Sequence, residues 1–518
     1  MKKSYETKIE YLLADFQRAS EINAENLKII LSDNKSTAYG QKYGFSEIGD
    51  EDTYAKTIPL SDYSVYEDFI CLENEFTAYP VKHVLGTSGT TGRQKFFPLT
   101  EVALGRYSSY IYDMPFFLTG AAGKSLHTSV FRNPSNIALL SSAYYSYLAE
   151  NAAFCGDDFV GGSELFFSDK ISDVQYVKAW LLLSHPEIIS IQSIFLYDIL
   201  LILRYLEDNW QTIIRDMRNK RVSVPLDETV KELLYQNSAD EEHLARLKRT
   251  LGSKTGFVVS DILPDIRFVS GIGGKTYALQ GEALRKYIGE TPIHYFAYAS
   301  SECMIGVAKE IGKAEYLLLP RSAYYEFLPL DGDKPLKITE ISVGECYELV
   351  ITTFSGLYRY KTGDVLRILS FDGECPVFEI EGRRNRTINV AGEKLDEQIV
   401  RDAVMRFAQQ SNTHIFDFAV GVKDCEAPFG YALFLETERS IENGAELFDT
   451  ILRESSFDYD DIRSLGMLSL PSVYILDTGE ISQICSHHSG GEAHNKPHTF
   501  LDSGQVRELM NSVKERDT

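Results

Sequence analysis

The sequence predicts a mixed α/β protein in which a large domain precedes a smaller one. Its 518 residues are enough for more than one packed core, and 44% hydrophobic with 25% charged residues is an ordinary globular balance. Apolar positions recur at helical spacing over residues 1–35 and in segments from 173 to 210. Short apolar stretches at 266–270 and 347–354, each followed closely by glycine, predict strands. Helices that alternate with buried strands are typical of the α/β class.

Charge and composition exclude several classes of partner. The formal net charge of −23 argues against nucleic acid or an anionic membrane, because both require clustered Lys and Arg. The charged start lacks the apolar core of a signal peptide, and the most hydrophobic region, 179–206, carries too many polar residues to span a bilayer. Seven cysteines without a Cys-x-x-Cys pair fit a reducing compartment. We therefore expect a cytoplasmic protein with no nucleic-acid or membrane partner.

A loop of small hydroxyl and glycine residues follows the apolar stretch at 84–86. Glycines permit backbone turns in which successive N–H groups converge on an anion, and hydroxyl groups add further donors. The spacing does not match a Walker phosphate loop or a nucleophile elbow. A phosphate-binding loop and a flexible linker both remain open from this stretch alone. The candidate phosphate ligands are Thr87, Ser88, Gly89, Thr90 and Thr91, followed by the positive charges of Arg93 and Lys95.

Several stretches together resemble one family. The loop at 84–98 is similar to the phosphate loop of the adenylate-forming superfamily, with Gln94 in place of the usual proline. The stretches at 319–330 and 343–366 resemble the plant auxin-responsive acyl acid amido synthetases and their bacterial relatives, a branch of that superfamily. The resemblance covers about 84 to 400, with looser support to 500. It implies a large N-terminal domain of sheets and helices and a small, mobile α+β C-terminal domain.

A second glycine cluster, Gly271-Ile-Gly273-Gly274, follows the predicted strand at 266–270. A dinucleotide-binding turn is a weak alternative here, because Thr276 stands where the third glycine belongs. The resemblance instead implies that Gly273 and Gly274 contact the adenine of ATP and that Tyr298 stacks on it. It also implies that Ser301 and Glu302, the end of the Tyr295–Glu302 motif, place a carboxylate beside Mg²⁺. The alternative for Glu302 is an ordinary surface carboxylate.

The stretch from 347 to 366 predicts a strand, a turn at Ser355-Gly356, a second strand and a corner at Gly363-Asp364. A carboxylate is an acceptor only, so Asp364 at such a corner suits a two-pronged hydrogen bond to the ribose hydroxyls of ATP. The alternative is a turn-forming aspartate that bonds only its own backbone.

Residues 382–397 resemble the superfamily's hinge motif. Asn385 stands where the hinge aspartate often lies, and Arg383 is a candidate nucleotide-binding residue. We place a domain boundary here, with an ATP- and acyl-binding domain at 1–385 and a mobile cap at 386–518. An ordinary charged turn between strands is the alternative.

Near the end of the chain, His487-His488 and His494-Asn-Lys496-Pro-His498 form a short histidine-rich stretch. A zinc site is a weak alternative here, because a second cysteine is missing. The resemblance implies a C-terminal loop whose lysine offsets charge as a carboxylate approaches phosphate, which makes Lys496 the candidate catalytic lysine. Lys394 is the competing candidate, and a solvated role for Lys496 stays open.

The resemblance implies a two-step ligase. A carboxylic acid is first activated by ATP as an acyl-adenylate, and an amine, expected to be an amino acid, then gives an amide and AMP. A ligase that uses CoA or a carrier protein, and a nucleotide-binding homologue without catalysis, remain alternatives. The identity of the acid is not readable, although Met304 and Ile305 lie either near the acyl group or simply in the core.

Overall fold

The structure, a computed structural model, describes most of the chain. The described ranges are 2–67, 74–86, 95–119, 123–131, 137–138, 140–151, 159–253, 256–274, 277–384, 386–391, 393–424, 428–439, 441–488 and 497–516.

Helices occur throughout the described chain. They are α1 (Lys2–Gln17), α2 (Ala19–Asn34), α3 (Ala38–Lys42), α4 (Glu51–Thr57), α5 (Glu101–Thr119), α6 (Leu140–Glu150), α7 (Gly162–Phe166), α8 (Val174–Ser184), α9 (Leu196–Asn219), α10 (Glu228–Gln236), α11 (Glu241–Gly252), α12 (Val259–Ile262), α13 (Ala278–Ile288), α14 (Glu397–Ser411), α15 (Gly444–Ser455), α16 (Phe457–Ser464), α17 (Glu480–His488) and α18 (Ser503–Arg516).

The strands alternate with the helices and cluster between 293 and 396. They are β1 (Val81–Gly86), β2 (Phe96–Thr100), β3 (Ser125–His127), β4 (Ile137–Ala138), β5 (Ser190–Phe195), β6 (Phe268–Ile272), β7 (Ile293–His294), β8 (Ala297–Ala299), β9 (Met304–Ala308), β10 (Tyr316–Leu318), β11 (Ala323–Pro329), β12 (Cys346–Thr353), β13 (Tyr360–Asp372), β14 (Cys375–Arg383), β15 (Thr387–Ile388), β16 (Leu395–Asp396), β17 (Ile415–Asp424), β18 (Gly430–Thr437), β19 (Ser472–Leu476) and β20 (Phe500–Leu501). The predicted mixed α/β class is confirmed.

Two sheets frame the large N-terminal part. A parallel sheet runs β3-β5-β6-β7, and an antiparallel sheet runs β11-β12-β13-β14-β10-β9-β8. Helices α8 to α13 supply the apolar core around the parallel sheet, while α2 and α5 pack on the antiparallel one. The chain passes from β7 of the first sheet to β8 of the second across Tyr295 and Phe296, which brings the two sheets together there.

Side-chain amides fasten the N-terminal helical layer to the antiparallel sheet. The buried Asn23 of α2 donates to the carbonyl of Tyr325 at 3.0 Å and accepts from its N–H at 2.8 Å. The buried Asn26 donates to the carbonyls of Pro320 and Ala323, both at 2.7 Å. Because an amide supplies both donors and an acceptor, each side chain satisfies backbone groups at the sheet edge that would otherwise be orphaned.

The helical pattern from 173 to 210 is interrupted by a strand, which corrects the expectation of helical segments alone. Residues 190–195 form β5, the second strand of the parallel sheet. The segment reads Ser-Ile-Gln-Ser-Ile-Phe, and a mixed stretch of six residues is too short to separate a strand period from a helical one, so the pattern alone was ambiguous. Pairing with β3 and β6 decides in favour of the strand.

Residues beyond 386 pack around a separate four-stranded sheet, β19-β18-β17-β20. Helices α14 and α15 cover one face with an apolar core, and α17 and α18 cover the other. The boundary between 385 and 386 stays a prediction, and Asn385 lies outside the described residues. Across the described ranges, no helix combines the length and apolarity that a membrane span requires.

Candidate active site

The carboxyl ends of the parallel strands lead into the predicted glycine cluster. β6 ends at Ile272, directly before Gly273 and Gly274. A Cβ on Gly273 would lie 2.5 Å from a methyl of Leu196 and 3.0 Å from the ring of Tyr295, so a larger residue would require the Leu196 side chain to shift. Gly274 has a φ of 98°, a conformation that other residues rarely adopt. Ligands of open α/β sheets bind in the crevice at these strand ends, so the glycine pair is well placed for one.

Tyr298 and Glu302 lie at the start of the antiparallel sheet. Tyr298 is on β8, and Ser301 and Glu302 form the turn to β9, closed by hydrogen bonds of 3.0 and 3.3 Å between the backbones of Ser300 and Cys303. The turn leaves Glu302 half-buried. Burial raises the pKa of the Glu302 carboxyl, while the positive charge of Arg383 opposes that rise. The turn therefore brings the Glu302 carboxylate close to Asp364 and Arg383, the residues that the phenol of Tyr298 also faces.

Asp364 and Arg383 face each other across two antiparallel strands. They are direct partners in the register of β13 and β14, and Arg383 Nε donates to Asp364 Oδ1 at 2.6 Å. The hydroxyl of Tyr298 donates to the other carboxylate oxygen. Asp364 is buried, and both of its carboxylate oxygens accept hydrogen bonds from other elements. This arrangement excludes the alternative in which Asp364 bonds only its own backbone.

Gly363 and Asp364 lie inside a strand, which corrects the predicted corner. β13 continues from Tyr360 to Asp372, and its pairing with β12 is irregular between Lys361 and Val365. Gly363 takes a φ of 79° there, and its carbonyl accepts from Arg384 N at 2.6 Å. A bulge re-aims the side chain that follows it, here the Asp364 carboxylate toward Tyr298.

The four side chains form one electrostatic unit, which we call the Asp364 cluster: Tyr298, Glu302, Asp364 and Arg383. The Asp364 carboxylate raises the pKa of Arg383, and Glu302 adds to the effect. Burial and the neighbouring Asp364 carboxylate raise the pKa of Tyr298 well above its ordinary value. The cluster is thus a guanidinium between two carboxylates, with a neutral phenol as donor.

Two predicted groups lie outside the described residues. The loop residues Thr87, Ser88, Gly89, Thr90 and Thr91 fall within 87–94, and Lys496 falls within 489–496. What surrounds the loop is described: β1 and β2 form an antiparallel hairpin in which Gly86 pairs with Phe96, so the loop connects the two strand ends. Lys95, the residue after it, holds its ammonium 5.4 Å from the ring centre of Tyr63.

Lys394 lies within the described residues. The neighbouring Glu393, which the sequence analysis did not single out, holds the loop that carries Lys394. Lys394 is exposed with a φ of 42°, in the loop between β15 and β16. The preceding Glu393 is fully buried and accepts from the N–H groups of Val390 and Ala391, both at 2.8 Å, while the hydroxyl of Tyr431 donates to it. A buried carboxylate therefore shapes the loop that presents Lys394. In the sequence, the only indication of this role for Glu393 was its position between a glycine and the candidate lysine.

Two further expectations concern a metal site in the histidine-rich stretch and the surroundings of Met304 and Ile305. Within the described residues, no group of three or more His, Cys, Asp or Glu side chains could hold a metal ion; His494 lies outside them. Met304 and Ile305 are buried in the core beneath the antiparallel sheet. Their predicted proximity to an acyl group stays a prediction.

Comparison with a solved structure identifies the fold. The chain superposes on the AtGH3.15 acyl acid amido synthetase in complex with 2,4-DB with a TM-score of 0.83 at 21% sequence identity, covering 98% of this chain and 96% of that one. The chain therefore has the same fold as that acyl acid amido synthetase, in agreement with the fold that the family resemblance implied.

Family models and curated relatives narrow the class. The GH3 family N-terminal domain matches residues 8–293, the central domain 316–383 and the C-terminal domain 398–501, so the chain belongs to the GH3 family. Jasmonoyl--L-amino acid synthetase JAR6 of Nicotiana attenuata is 25% identical over 529 residues, or 91% of this chain and 89% of the relative. Indole-3-acetic acid-amido synthetase GH3.6 of Arabidopsis thaliana is 25% identical over 488 residues, or 83% and 78%.

Proposed function

We propose that this protein is an ATP-dependent acyl acid amido synthetase. It activates a carboxylic acid as an acyl-adenylate with release of pyrophosphate, and then transfers the acyl group to the amine of an amino acid, which yields an amide and AMP. Membership of the GH3 family and the names of the curated relatives, which are synthetases of jasmonoyl and indole-3-acetic acid conjugates, support this assignment. Its cysteine pattern favours the cytoplasm as the site of the reaction.

The observation that carries the proposal is the Asp364 cluster. Residues separated by up to 85 positions converge there, because Tyr298 and Arg383 both donate hydrogen bonds to the buried Asp364 carboxylate. ATP has two adjacent ribose hydroxyls, and a carboxylate can accept from both. Tyr298 and Arg383 hold the Asp364 carboxylate in position. The contact of Gly273 and Gly274 with the adenine is part of the proposal and follows from the family resemblance.

Mg²⁺ fits this site through Glu302. Magnesium is commonly held by one or two carboxylates together with substrate phosphates rather than by a cage of protein ligands. Glu302 supports that mode, because its half-buried position leaves the residue partly accessible. When bound, the ion would neutralise charge on the departing pyrophosphate.

The chemistry proceeds in two balanced steps. The carboxylate oxygen of the acid attacks the α-phosphorus of ATP, the bond to the β-phosphate oxygen breaks, and residues 87–91 hold the pyrophosphate. Lys496 offsets the negative charge that gathers as the two anions approach. The amine then attacks the carbonyl carbon of the adenylate, loses a proton, and AMP leaves. The cap at 386–518 rotates between these steps to admit the amine, with Lys394 as the competing catalytic lysine.

The test is release of AMP from ATP and Mg²⁺ across a panel of carboxylic acids, with products identified by mass. Each acid is offered with mixed amino acids, with CoA, or alone. AMP together with an amide conjugate supports the proposal and identifies both substrates. A thioester product would reassign the protein as a CoA ligase, and an Asp364→Asn variant is the control for AMP that does not come from this site.

A further inference from the structure

Two acidic side chains are buried where the C-terminal sheet meets the helices of the large N-terminal part. Asp417 on β17 and Glu436 on β18 are direct cross-strand partners, and both are fully buried. Directly opposed like charges destabilise a strand pair, and burial makes the repulsion stronger. The burial of two acids directly opposite each other therefore needs a physical explanation.

Hydrogen bonds from the N-terminal helices reach both acids. Gln280 of α13 donates to Asp417 Oδ1 at 2.8 Å, and the hydroxyl of Tyr197 on α9 donates to Glu436 Oε2 at 3.0 Å. Phe416, next to Asp417, packs into the N-terminal core, where the guanidinium of Arg204 lies 3.5 Å from its ring centre. Each acid thus links one C-terminal strand to one N-terminal helix.

The two carboxyl groups differ in the donors they meet. Glu436 also accepts from the N–H groups of Gly479 at 2.8 Å and Ile481 at 3.0 Å, so it meets three donors in all. Asp417 Oδ2 is buried without a hydrogen-bond partner. Three donors favour the carboxylate form, and an oxygen without a donor has room for a proton, so Asp417 is the natural carrier of the proton.

Other titratable and charged groups face this pair from every element packed against it. They are Tyr197 and Arg204 of α9, Arg401 of α14 and Cys485 of α17, the last also facing Asp502. At the exposed rim, Lys286 of α13 pairs with Glu207 at 3.4 Å and with Glu438 at 3.3 Å. Arg204 keeps a buried Nη1 without a hydrogen-bond partner. The cations do not form hydrogen bonds to either acid among the described residues.

Burial raises the pKa of Asp417 well above its ordinary value, and the neighbouring Glu436 adds to the rise. Burial also raises the pKa of Glu436, to about 7, against the opposing effect of its donors. Near neutral pH the pair therefore carries less than two negative charges.

We propose that Asp417 and Glu436 form a proton-dependent latch: the C-terminal sheet docks on α9 and α13 with a proton held between the two acids, and undocking releases it. The latch rests on the proposed rotation of the cap at 386–518, because that rotation must break the contacts of Gln280 and Tyr197. Unpartnered polar atoms on both sides, Asp417 Oδ2 and Arg204 Nη1, fit an interface that is made and broken.

The sign of the pH effect follows from the raised pKa values. In the undocked state the acids are exposed and titrate near their ordinary values, 4.5 for Glu436. The docked state is therefore fully favoured below the ordinary pKa values of the two acids. It loses stability as pH rises through the raised pKa of Glu436, about 7, and the raised pKa of Asp417 adds to that loss. The titration of Glu436 alone should raise the ratio of undocked to docked molecules by roughly 300-fold across this window.

The experiment is small-angle X-ray scattering of the full chain without substrates, from about pH 5 to about pH 9, with circular dichroism to verify that the protein stays folded. Asp417→Asn keeps the acceptor for Gln280 and mimics the protonated acid, so we expect the docked scattering curve to persist to high pH. Tyr197→Phe removes one cross-interface hydrogen bond and should favour undocking by about fivefold at every pH.

Lys286→Ala is the matched control, because it removes ion pairs at the exposed rim of the same interface and leaves the buried pair intact. It should keep the wild-type pH profile. Wild-type scattering that does not change with pH, or an Asp417→Asn variant with the wild-type profile, would overturn the latch. Because no substrate is used, failure to release AMP in the acid panel would refute the proposed function separately.

Discussion

The Asp364 cluster and the Asp417–Glu436 latch bury carboxylates in opposite ways. Asp364 lies beside a guanidinium, with Arg383 Nε at 2.6 Å from it, so its charge is balanced inside the cluster. Asp417 and Glu436 lie opposite each other, and the guanidiniums of Arg204 and Arg401 influence them only from a distance. A cation beside a buried acid balances its charge, whereas two acids that share a site retain a proton. The first arrangement suits a permanent ligand contact, and the second suits a contact that changes with conformation.

The largest expected effect separates the chemical step from nucleotide binding. Lys496→Ala should lower the rate of adenylate formation by about 10²- to 10³-fold, because one donor to developing charge is lost. ATP affinity should stay nearly unchanged. Single-turnover AMP formation and calorimetric titration with ATP measure the two quantities.

Lys394→Ala is the matched comparison for that lysine, since Lys394 is exposed on the loop shaped by Glu393. If Lys394→Ala loses adenylation and Lys496→Ala keeps it, the catalytic role moves to Lys394. Equal, full activity in both variants would remove the lysine from the mechanism.

The next effect contrasts the two kinds of buried acid directly. Asp364→Asn should weaken ATP binding by roughly 10- to 100-fold, because hydrogen bonds from the ribose to a charged acceptor are replaced by weaker ones. Asp417→Asn should leave ATP affinity unchanged. Isothermal titration at constant Mg²⁺ gives both dissociation constants.

Asp372→Asn, at the far end of the same strand, controls for general damage to β13. Normal ATP affinity in Asp364→Asn would refute the ribose role. Weakened affinity in Asp417→Asn would mean that docking of the cap contributes to ATP binding. The Asp364 cluster and the Asp417–Glu436 latch would then not be functionally separate.

The smallest expected effect concerns the donor to Asp364. Tyr298→Phe removes the hydroxyl that donates to the carboxylate and keeps the ring, so ATP affinity should fall by about fivefold. The same titration measures it. A loss as large as that of Asp364→Asn would assign the hydroxyl a direct contact with the nucleotide instead of a positioning role.

Local motifs predicted much of the candidate site. The glycine pair, Tyr298, Glu302 and Arg383 were implied by the family resemblance of the short motifs that contain them. Asp364 was also suggested by the chemistry of an acceptor-only carboxylate. The short segment at 190–195, in which polar and apolar residues are mixed, was not recognisable as a strand, since its state depends on partners far away in the chain. Glu393 was overlooked because its burial depends on Tyr431, on another strand.

The sequence by itself determined the α/β class, the adenylate-forming motifs and the family resemblance, because these depend on spacing and on residue type within short segments. Tertiary structure alone decided that Asp364 and Arg383 pair across two strands, and that a bulge aims the carboxylate at Tyr298. It also decided that Asp417 and Glu436 are buried together. In the sequence each is one polar residue in a strand, and only the packing of that strand on α9 and α13 removes it from water.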